Sequence, residues 1–140
     1  MINSYEDLVE TTVNATTDIE DLQNIHVGQS GTYEHALFTR SGEKVATTSG
    51  GFKVLYRRES DQQFMAYLTN EVVFEDGSGT IRVAGWIDMG SLLSGNWAYY
   101  PSVGVSGRYL GQNGFMAWRP RNLGQEEGAE VKLIMFAAAE

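Results

Sequence analysis

The sequence predicts an all-β protein, a single antiparallel barrel of eight strands around a lumen that holds a ligand. Three features favour this class: 16 glycines, 11% aromatic residues, and short alternating segments separated by turn residues. Glycine permits the positive φ angles of tight turns, and aromatic side chains suit a pleated surface. Closure into a barrel removes exposed sheet edges, and about eight strands enclose room for one small ligand. A two-sheet sandwich is the alternative that the same pattern leaves open.

The predicted strands follow one another through short turns. Residues 1–7 are a polar start that we expect to be flexible, and residues 18–30 form a loop after the first strand. Ser41-Gly42 and the segment 75–79 are typical of β-hairpin turns. Glycines inside strands, at positions 50, 51, 85, 111 and 114, suit the bends of a barrel. The eight predicted strands cover residues 8–17, 33–40, 44–58, 64–74, 80–89, 96–100, 108–118 and 130–138.

Composition excludes several classes of function. The 140 residues fit one domain, residues 1–140. The sequence contains no cysteine, which excludes disulfides, thiolate metal sites and cysteine nucleophiles. The net charge of −8 disfavours nucleic acids and membranes as partners. Because neither a secretory signal nor an apolar run of bilayer length is visible, we expect a cytoplasmic protein with a neutral or apolar ligand.

The usual catalytic motifs are missing from the sequence. His26 and His35 are the only histidines, and their spacing matches no metal-binding motif. We interpret His35 as a structural side chain of a strand. Nucleophile-elbow, phosphate-loop and dinucleotide motifs are absent. The segment 104–107 resembles a phosphate loop, but no predicted helix follows it to hold an anion, so it is interpreted as a turn.

Large aromatic and thioether side chains recur at alternate strand positions and are candidates for the lumen wall. Side chains two residues apart share a face of a strand, so each candidate brings its neighbours with it. The groups are Tyr33 with His35 and Leu37, Met65 with Tyr67 and Thr69, Gly85 with Ile87 and Met89, Ala98 with Tyr100, and Met116 with Trp118. Alternation does not decide which face points inward, or whether core side chains fill the interior. The residues predict a binding protein, or an enzyme that works through shape without a polar catalyst.

Four segments carry a resemblance to a known family. They are VATTSGGFKVLY (45–56), VAGWIDM (83–89), NWAYYPSVGVSGRYLG (96–111) and GFMAWRP (114–120). In order and composition they resemble the spirotetronate and spirotetramate cyclases of actinomycete polyketide pathways, which are natural Diels–Alderases, and above all the abyssomicin type. The segment VGQSGTY (27–33) is similar to the broader group of allene oxide cyclase-like barrels.

The resemblance implies an eight-stranded barrel, a homodimer, and a reaction that needs no metal or organic cofactor. That reaction is an intramolecular [4+2] cycloaddition between a diene and an exocyclic methylene on the tetronate or tetramate ring of a linear polyketide. Trp118 stands at the position of the family's pocket tryptophan, and Met116 stands where the abyssomicin type has arginine. With the alternating groups, the candidate site residues are Trp118, Tyr67 and Tyr100 for catalysis and Tyr33, Leu37, Met65, Met89 and Met116 for substrate binding.

Such a reaction moves no proton and needs no nucleophile, which agrees with the missing catalytic motifs. Folding the substrate into one geometry contributes on the order of 3–5 kcal/mol. A hydrogen bond from Tyr67, Tyr100 or the Trp118 indole to a ring carbonyl adds about 1–3 kcal/mol. The segments 90–96 and 18–30 are candidates for a cap over the mouth. A non-catalytic polyketide carrier, an allene oxide cyclase-like isomerase and a structural dimer module with a filled barrel remain alternatives.

Overall fold

The computed structural model describes residues 2–121 and 128–137. Eight strands and one short helix account for most of these residues. Their bounds are β1 (Ile2–Thr17), β2 (Ser30–Phe38), β3 (Lys44–Arg57), β4 (Phe64–Phe74), β5 (Gly79–Asp88), α1 (Met89–Leu93), β6 (Ala98–Gly107), β7 (Gln112–Pro120) and β8 (Ala129–Ala137). Met1, at the predicted flexible start, and Ala138, at the end of the last predicted strand, lie outside the described residues.

The eight strands form a closed antiparallel barrel. Each strand pairs with the next along the chain, and β1 pairs with β8 to close the sheet. The predicted eight-stranded barrel is therefore confirmed, and the sandwich alternative is wrong. Within the described ranges, no helix has the length and apolar character to cross a bilayer.

The first strand begins earlier than predicted. Residues expected to be a flexible start pair with β8, in the register Asn3 with Met135 and Tyr5 with Leu133. The ring of Tyr5 lies 5.5 Å from that of Phe74, centroid to centroid, inside the barrel. A polar sequence is compatible with this strand because one of its faces points to solvent.

Two predicted elements near the sixth strand are also wrong. The segment 104–107, interpreted as a turn, is the end of β6 and pairs with β5, and the turn itself lies at residues 108–111. A Cβ atom at Gly104 would overlap the carbonyl oxygen of Tyr109, so glycine lets that turn fold tightly against the strand. Met89, predicted to end a strand, instead begins α1.

Side chains fill the interior next to the β2–β3, β4–β5 and β6–β7 turns, and we call this half the packed end. Phe74 stacks on Tyr109 with 4.8 Å between ring centroids. Fully buried side chains surround them: Leu37, Val72, Ile81, Leu133 and Met135. The packed end closes one side of the barrel, which leaves the opposite half of the lumen for a ligand.

Candidate functional site

The opposite half of the lumen is hollow, and we call it the open end. It holds a cavity of about 230 Å³ that opens to solvent at a mouth. The largely apolar wall is formed by Glu10, Ala15, Thr16, Thr17, Thr32, Tyr33, His35, Phe52, Leu68, Asn70, Ile87, Met89, Leu92, Tyr100, Met116 and Trp118.

The β6–β7 ladder supplies a continuous stretch of this wall. Met116 and Trp118, two residues apart on β7, both line the cavity. Across the ladder, Met116 pairs with Tyr100 and Trp118 pairs with Ala98. An aromatic ring from each strand therefore faces the lumen beside a flexible thioether.

Helix α1 contributes apolar side chains to the cavity. Asp88 caps this helix by accepting a hydrogen bond from the backbone N–H of Ser91 at 3.1 Å. The carboxylate of Asp88 also pairs with Arg58, 2.7 Å away, which fixes the start of the helix to the β3–β4 connection. Met89 and Leu92 are buried on the inner side of α1 and line the cavity. Of the two segments predicted as caps, 90–96 thus supplies part of the cavity wall. No residue of 18–30 lines the cavity.

A buried carboxylate lies in this mostly apolar cavity. Glu10 is only 4% exposed, and its Oε1 accepts a hydrogen bond of 2.8 Å from the indole Nε1 of Trp118. The Nδ1 atom of His35 also lies 2.8 Å from this oxygen, although it lacks the alignment of a hydrogen bond. Burying a carboxylate is costly unless donors surround it, so these two groups account for its presence in the lumen.

A bulge in β1 decides which of its residues face inward. The register of β1 on β2 shifts between Thr12 and Asn14. Glu10 lines the cavity before the shift, and the consecutive residues Ala15, Thr16 and Thr17 border it after the shift. An extra residue in one strand reverses its alternation, so a single period-2 pattern does not describe β1.

Tyr33 combines a stacked ring with a fixed hydroxyl. Its ring lies 4.5 Å from that of His35, at an interplanar angle of 18°. Its hydroxyl accepts a hydrogen bond of 2.8 Å from Nδ2 of Asn70. Burial raises the pKa of Tyr33 to about 12, which outweighs the lowering effect of the Asn70 hydrogen bond. The hydroxyl is therefore neutral at physiological pH, and its proton remains available for donation.

Tyr100 carries a free hydrogen-bond donor inside the barrel. Its side chain is 2% exposed, and its hydroxyl has no hydrogen-bond partner among the described residues. Burial raises the pKa of this hydroxyl, and the nearby Tyr33 and Glu10 raise it further. The ring packs on Gly85, where an added Cβ would lie 3.1 Å from Cδ1 of Tyr100. A buried unpartnered donor in a cavity is typical of a site that binds a polar ligand atom.

Five of the eight residues proposed from the sequence line the cavity: Tyr33, Met89, Tyr100, Met116 and Trp118. Leu37 faces inward but lies fully buried at the packed end. Met65 is buried but does not line the cavity. Tyr67 is 37% exposed and packs on Trp86 with 5.1 Å between ring centroids. The predicted lumen position of Tyr67 is wrong because Leu68 and Asn70 occupy the inner face of β4, so Tyr67 points outward.

Sequence reasoning missed the polar side chains of the open end, among them Glu10 and Asn70, and interpreted His35 as structural. A signal for them existed, since each occupies a strand otherwise rich in apolar or β-branched residues. The Trp118 N–H, predicted to bind a substrate carbonyl, instead donates to Glu10. The lumen therefore holds polar groups beyond the tyrosine and tryptophan donors that the sequence predicted.

Comparisons with known proteins agree with this geometry. Residues 9–133 match the allene oxide cyclase barrel-like domain. The comparison with curated proteins finds no match. Among solved structures, the chain is similar to AbnU, an exo-specific intermolecular Diels–Alderase, with 24% identity, a TM-score of 0.86 and 96% of both chains covered.

Two further structures extend the comparison. The Diels–Alderase AbmU from Streptomyces koyangensis has 25% identity and a TM-score of 0.86, over 98% of this chain and 64% of that one. This chain therefore spans less than two-thirds of AbmU. The dirigent protein PsPTS1, a pterocarpan synthase, has 13% identity and a TM-score of 0.71, over 100% of this chain and 97% of that one. These likenesses show a shared fold, and the match to 9–133 shows that the chain belongs to the allene oxide cyclase barrel-like family.

Proposed function

We propose that this chain is a cofactor-independent [4+2] cyclase, a Diels–Alderase that forms a spirotetronate or spirotetramate from a linear polyketide. The proposal depends on the open end, a largely apolar cavity of about 230 Å³ that is closed on one side, in a barrel that shares its fold with Diels–Alderases. The substrate is a polyene with an exocyclic methylene on a tetronate or tetramate ring. The partner in this reaction is therefore a single small molecule.

The shape of the cavity supplies the first part of the rate enhancement. A flexible polyene loses most of its conformations when it folds between the aromatic and thioether walls formed by Tyr100, Met116 and Trp118. Holding diene and alkene in contact lowers the barrier by on the order of 3–5 kcal/mol, because the entropy is lost on binding rather than in the transition state. Methionine side chains adapt to the irregular outline of such a substrate.

A hydrogen bond supplies the second part. The unpartnered hydroxyl of Tyr100 is placed to donate to a ring carbonyl and so to make the alkene more electron-poor. Such a donor contributes about 1–3 kcal/mol if its bond tightens in the transition state. Trp118 acts differently, because its N–H is engaged by Glu10 and only the face of its ring meets the substrate.

The test uses purified protein without any added cofactor. A linear diene carrying an exocyclic-methylene tetronate or tetramate is followed by chiral chromatography, with Trp118→Ala beside the unaltered protein. We expect one spiro stereoisomer, formed quickly and lost in the variant. Trp97→Ala is the matched control, because the Trp97 ring packs against Arg119 and Lys132, away from the cavity wall.

Two outcomes would redirect the proposal. Tight substrate binding without acceleration favours the carrier. Product formation from separate diene and alkene, with no closure of the linear substrate, favours an intermolecular reaction, the type named for AbnU.

We also infer that the protein is a homodimer. Tyr56, Tyr67 and Trp86 form an outer aromatic patch on β3, β4 and β5, with exposed fractions of 43%, 37% and 49%. Exposed aromatic clusters are typical of protein interfaces. In sedimentation equilibrium, Trp86→Glu should convert dimers to monomers, whereas Phe136→Glu, on β8 across the barrel from β4, should not. A monomeric unaltered protein contradicts this inference.

A further inference from the structure

The open end contains one acidic and one basic side chain. Glu10 and His35 face each other there, and no lysine or arginine belongs to the described cavity wall. With neutral His35 the cavity carries a charge of −1, and with protonated His35 its charge is zero. The charge state of one imidazole therefore decides whether an anion is repelled from the lumen or accepted into it.

The geometry assigns separate tasks to the two nitrogens of His35. Nδ1 lies 2.8 Å from Oε1 of Glu10. Nε2 is the other ring nitrogen, and the side chain borders the cavity. Tyr33 stacks on one face of the imidazole, which fixes the plane of the ring.

The surroundings of His35 are otherwise short of charge. Glu10 approaches from β1, Tyr33 shares β2, and Tyr100 faces the cluster from β6. On β3 the paired residue is Thr48, which is fully buried and uncharged. Burial raises the pKa of both tyrosines, so they remain neutral at physiological pH, and Glu10 is the acidic side chain that faces His35.

We propose that His35 binds the acidic ring of the substrate, with Nδ1 beside the Glu10 carboxylate and a protonated Nε2 donating to the ring oxygen. This inference rests on the tetronate or tetramate substrate of the proposed function. Such rings are vinylogous carboxylic acids and carry their negative charge on that oxygen near neutral pH. Carboxylate, imidazolium and enolate then stand in a row with alternating charges. The hydrogen bond from the imidazolium to the ring oxygen is therefore charge-assisted.

The proposal predicts a preference for the acid over a neutral analogue. The probes are a 3-acyl tetronic acid with a short alkyl chain and its O-methyl ether, which has the same shape but no charge. We expect the unaltered protein to bind the acid roughly tenfold more tightly than the ether near pH 6.

Two variants test whether His35 causes that preference. His35→Gln keeps a polar side chain and removes the charge, and His35→Phe keeps a ring stacked on Tyr33. Both should bind acid and ether about equally, whereas Tyr99→Phe, outside the cavity, should retain the preference. Circular dichroism of each variant shows whether it is folded. Either histidine variant, folded and still preferring the acid, overturns the proposal, as does an unaltered protein that binds the ether equally well.

Turnover of the linear substrate, measured on the same samples, separates this proposal from the proposed function. We expect His35→Gln to raise KM roughly tenfold and to change kcat much less, because the ring charge is present in both the ground state and the transition state. Loss of kcat with an unchanged KM overturns the binding role of His35. An unaltered protein that prefers the acid but does not cyclise the linear substrate overturns the proposed function instead.

Discussion

The same strands build the packed end and the open end. Along a strand, one inward-facing position separates the two ends. On β2, Leu37 lies in the packed end, and His35, two residues earlier, lines the cavity. On β4, Val72 is fully buried, and Asn70, again two residues earlier, lines the cavity. The change from core to site therefore takes one step of strand alternation, and polar residues at inward positions mark it.

The two ends differ in what burial demands. At the packed end most side chains are apolar and need only close contact, and the hydroxyl of the buried Tyr109 has a partner in the Tyr5 hydroxyl, 3.3 Å away. At the open end each buried polar atom needs a partner, and the protein supplies one for the Trp118 indole and for the Tyr33 hydroxyl. Tyr100 is left without one in the described part of the chain. A buried hydroxyl without a protein partner, the Tyr100 hydroxyl, therefore marks the open end as a binding site.

Truncating a side chain should affect stability very differently at the two ends. Leu37→Ala opens a cavity in the packed end and should lower the free energy of unfolding by about 3 kcal/mol. Leu92→Ala enlarges a space that already exists and should lower it by only about 1 kcal/mol. Urea unfolding of both variants measures the two losses. Equal losses would mean that the open end is packed in solution.

Alkaline pH should destabilise the open end through its tyrosines. Burial raises the pKa of Tyr33 from the usual 10.0 to about 12, so folding favours the neutral hydroxyl. The resulting stabilisation is complete below pH 10 and is lost as the pH rises to 12, by about 2 kcal/mol. Urea unfolding of the unaltered protein and of Tyr33→Phe at pH 8 and pH 11 isolates this effect. The variant should lose less stability over that interval, and an identical loss contradicts the prediction.

The fold could be predicted from the sequence because turns and alternation are local signals. Glycine-rich turns and strand patterns identified a closed barrel, and motif resemblance located Trp118 and Tyr100, both of which line the cavity. Which face of β4 points inward could not be predicted from the sequence. Met65 and Tyr67 on one face are as apolar as Leu68 on the other, so apolar character does not distinguish the two faces. Only the register of neighbouring strands decides between them.

The polar cluster escaped prediction for a different reason. The Glu10 carboxylate receives its hydrogen bond from Trp118, 108 residues along the chain. Within the predicted strand 8–17, Glu10 is the one acidic residue, and solvent exposure is the ordinary interpretation of such a residue. Barrel closure between β1 and β8 brings β7 within reach, and that contact is absent from any local pattern.

Removing the free hydroxyl of the open end should slow the reaction without affecting the fold. Tyr100→Phe deletes a donor that has no partner in the described protein, so stability should change little. If this hydroxyl polarises the ring carbonyl, kcat should fall roughly tenfold. The matched control is Tyr99→Phe, whose hydroxyl lies on the exposed side of the same strand. Single-turnover rates measure both variants, and equal rates would remove Tyr100 from the mechanism.

The smallest expected effect concerns the residue beneath that ring. An added Cβ at Gly85 would lie 3.1 Å from Cδ1 of Tyr100 and 3.3 Å from Cδ of Pro101, so Gly85→Ala should shift the tyrosine by a few tenths of an ångström. Such a shift lengthens the hydrogen bond to the substrate and should lower kcat roughly threefold. Repeating Gly85→Ala in a Tyr100→Phe background completes a double-mutant cycle. If Gly85 acts through the Tyr100 hydroxyl, Gly85→Ala in the Tyr100→Phe background should have almost no effect on kcat. An undiminished loss would mean that Gly85 shapes the cavity itself.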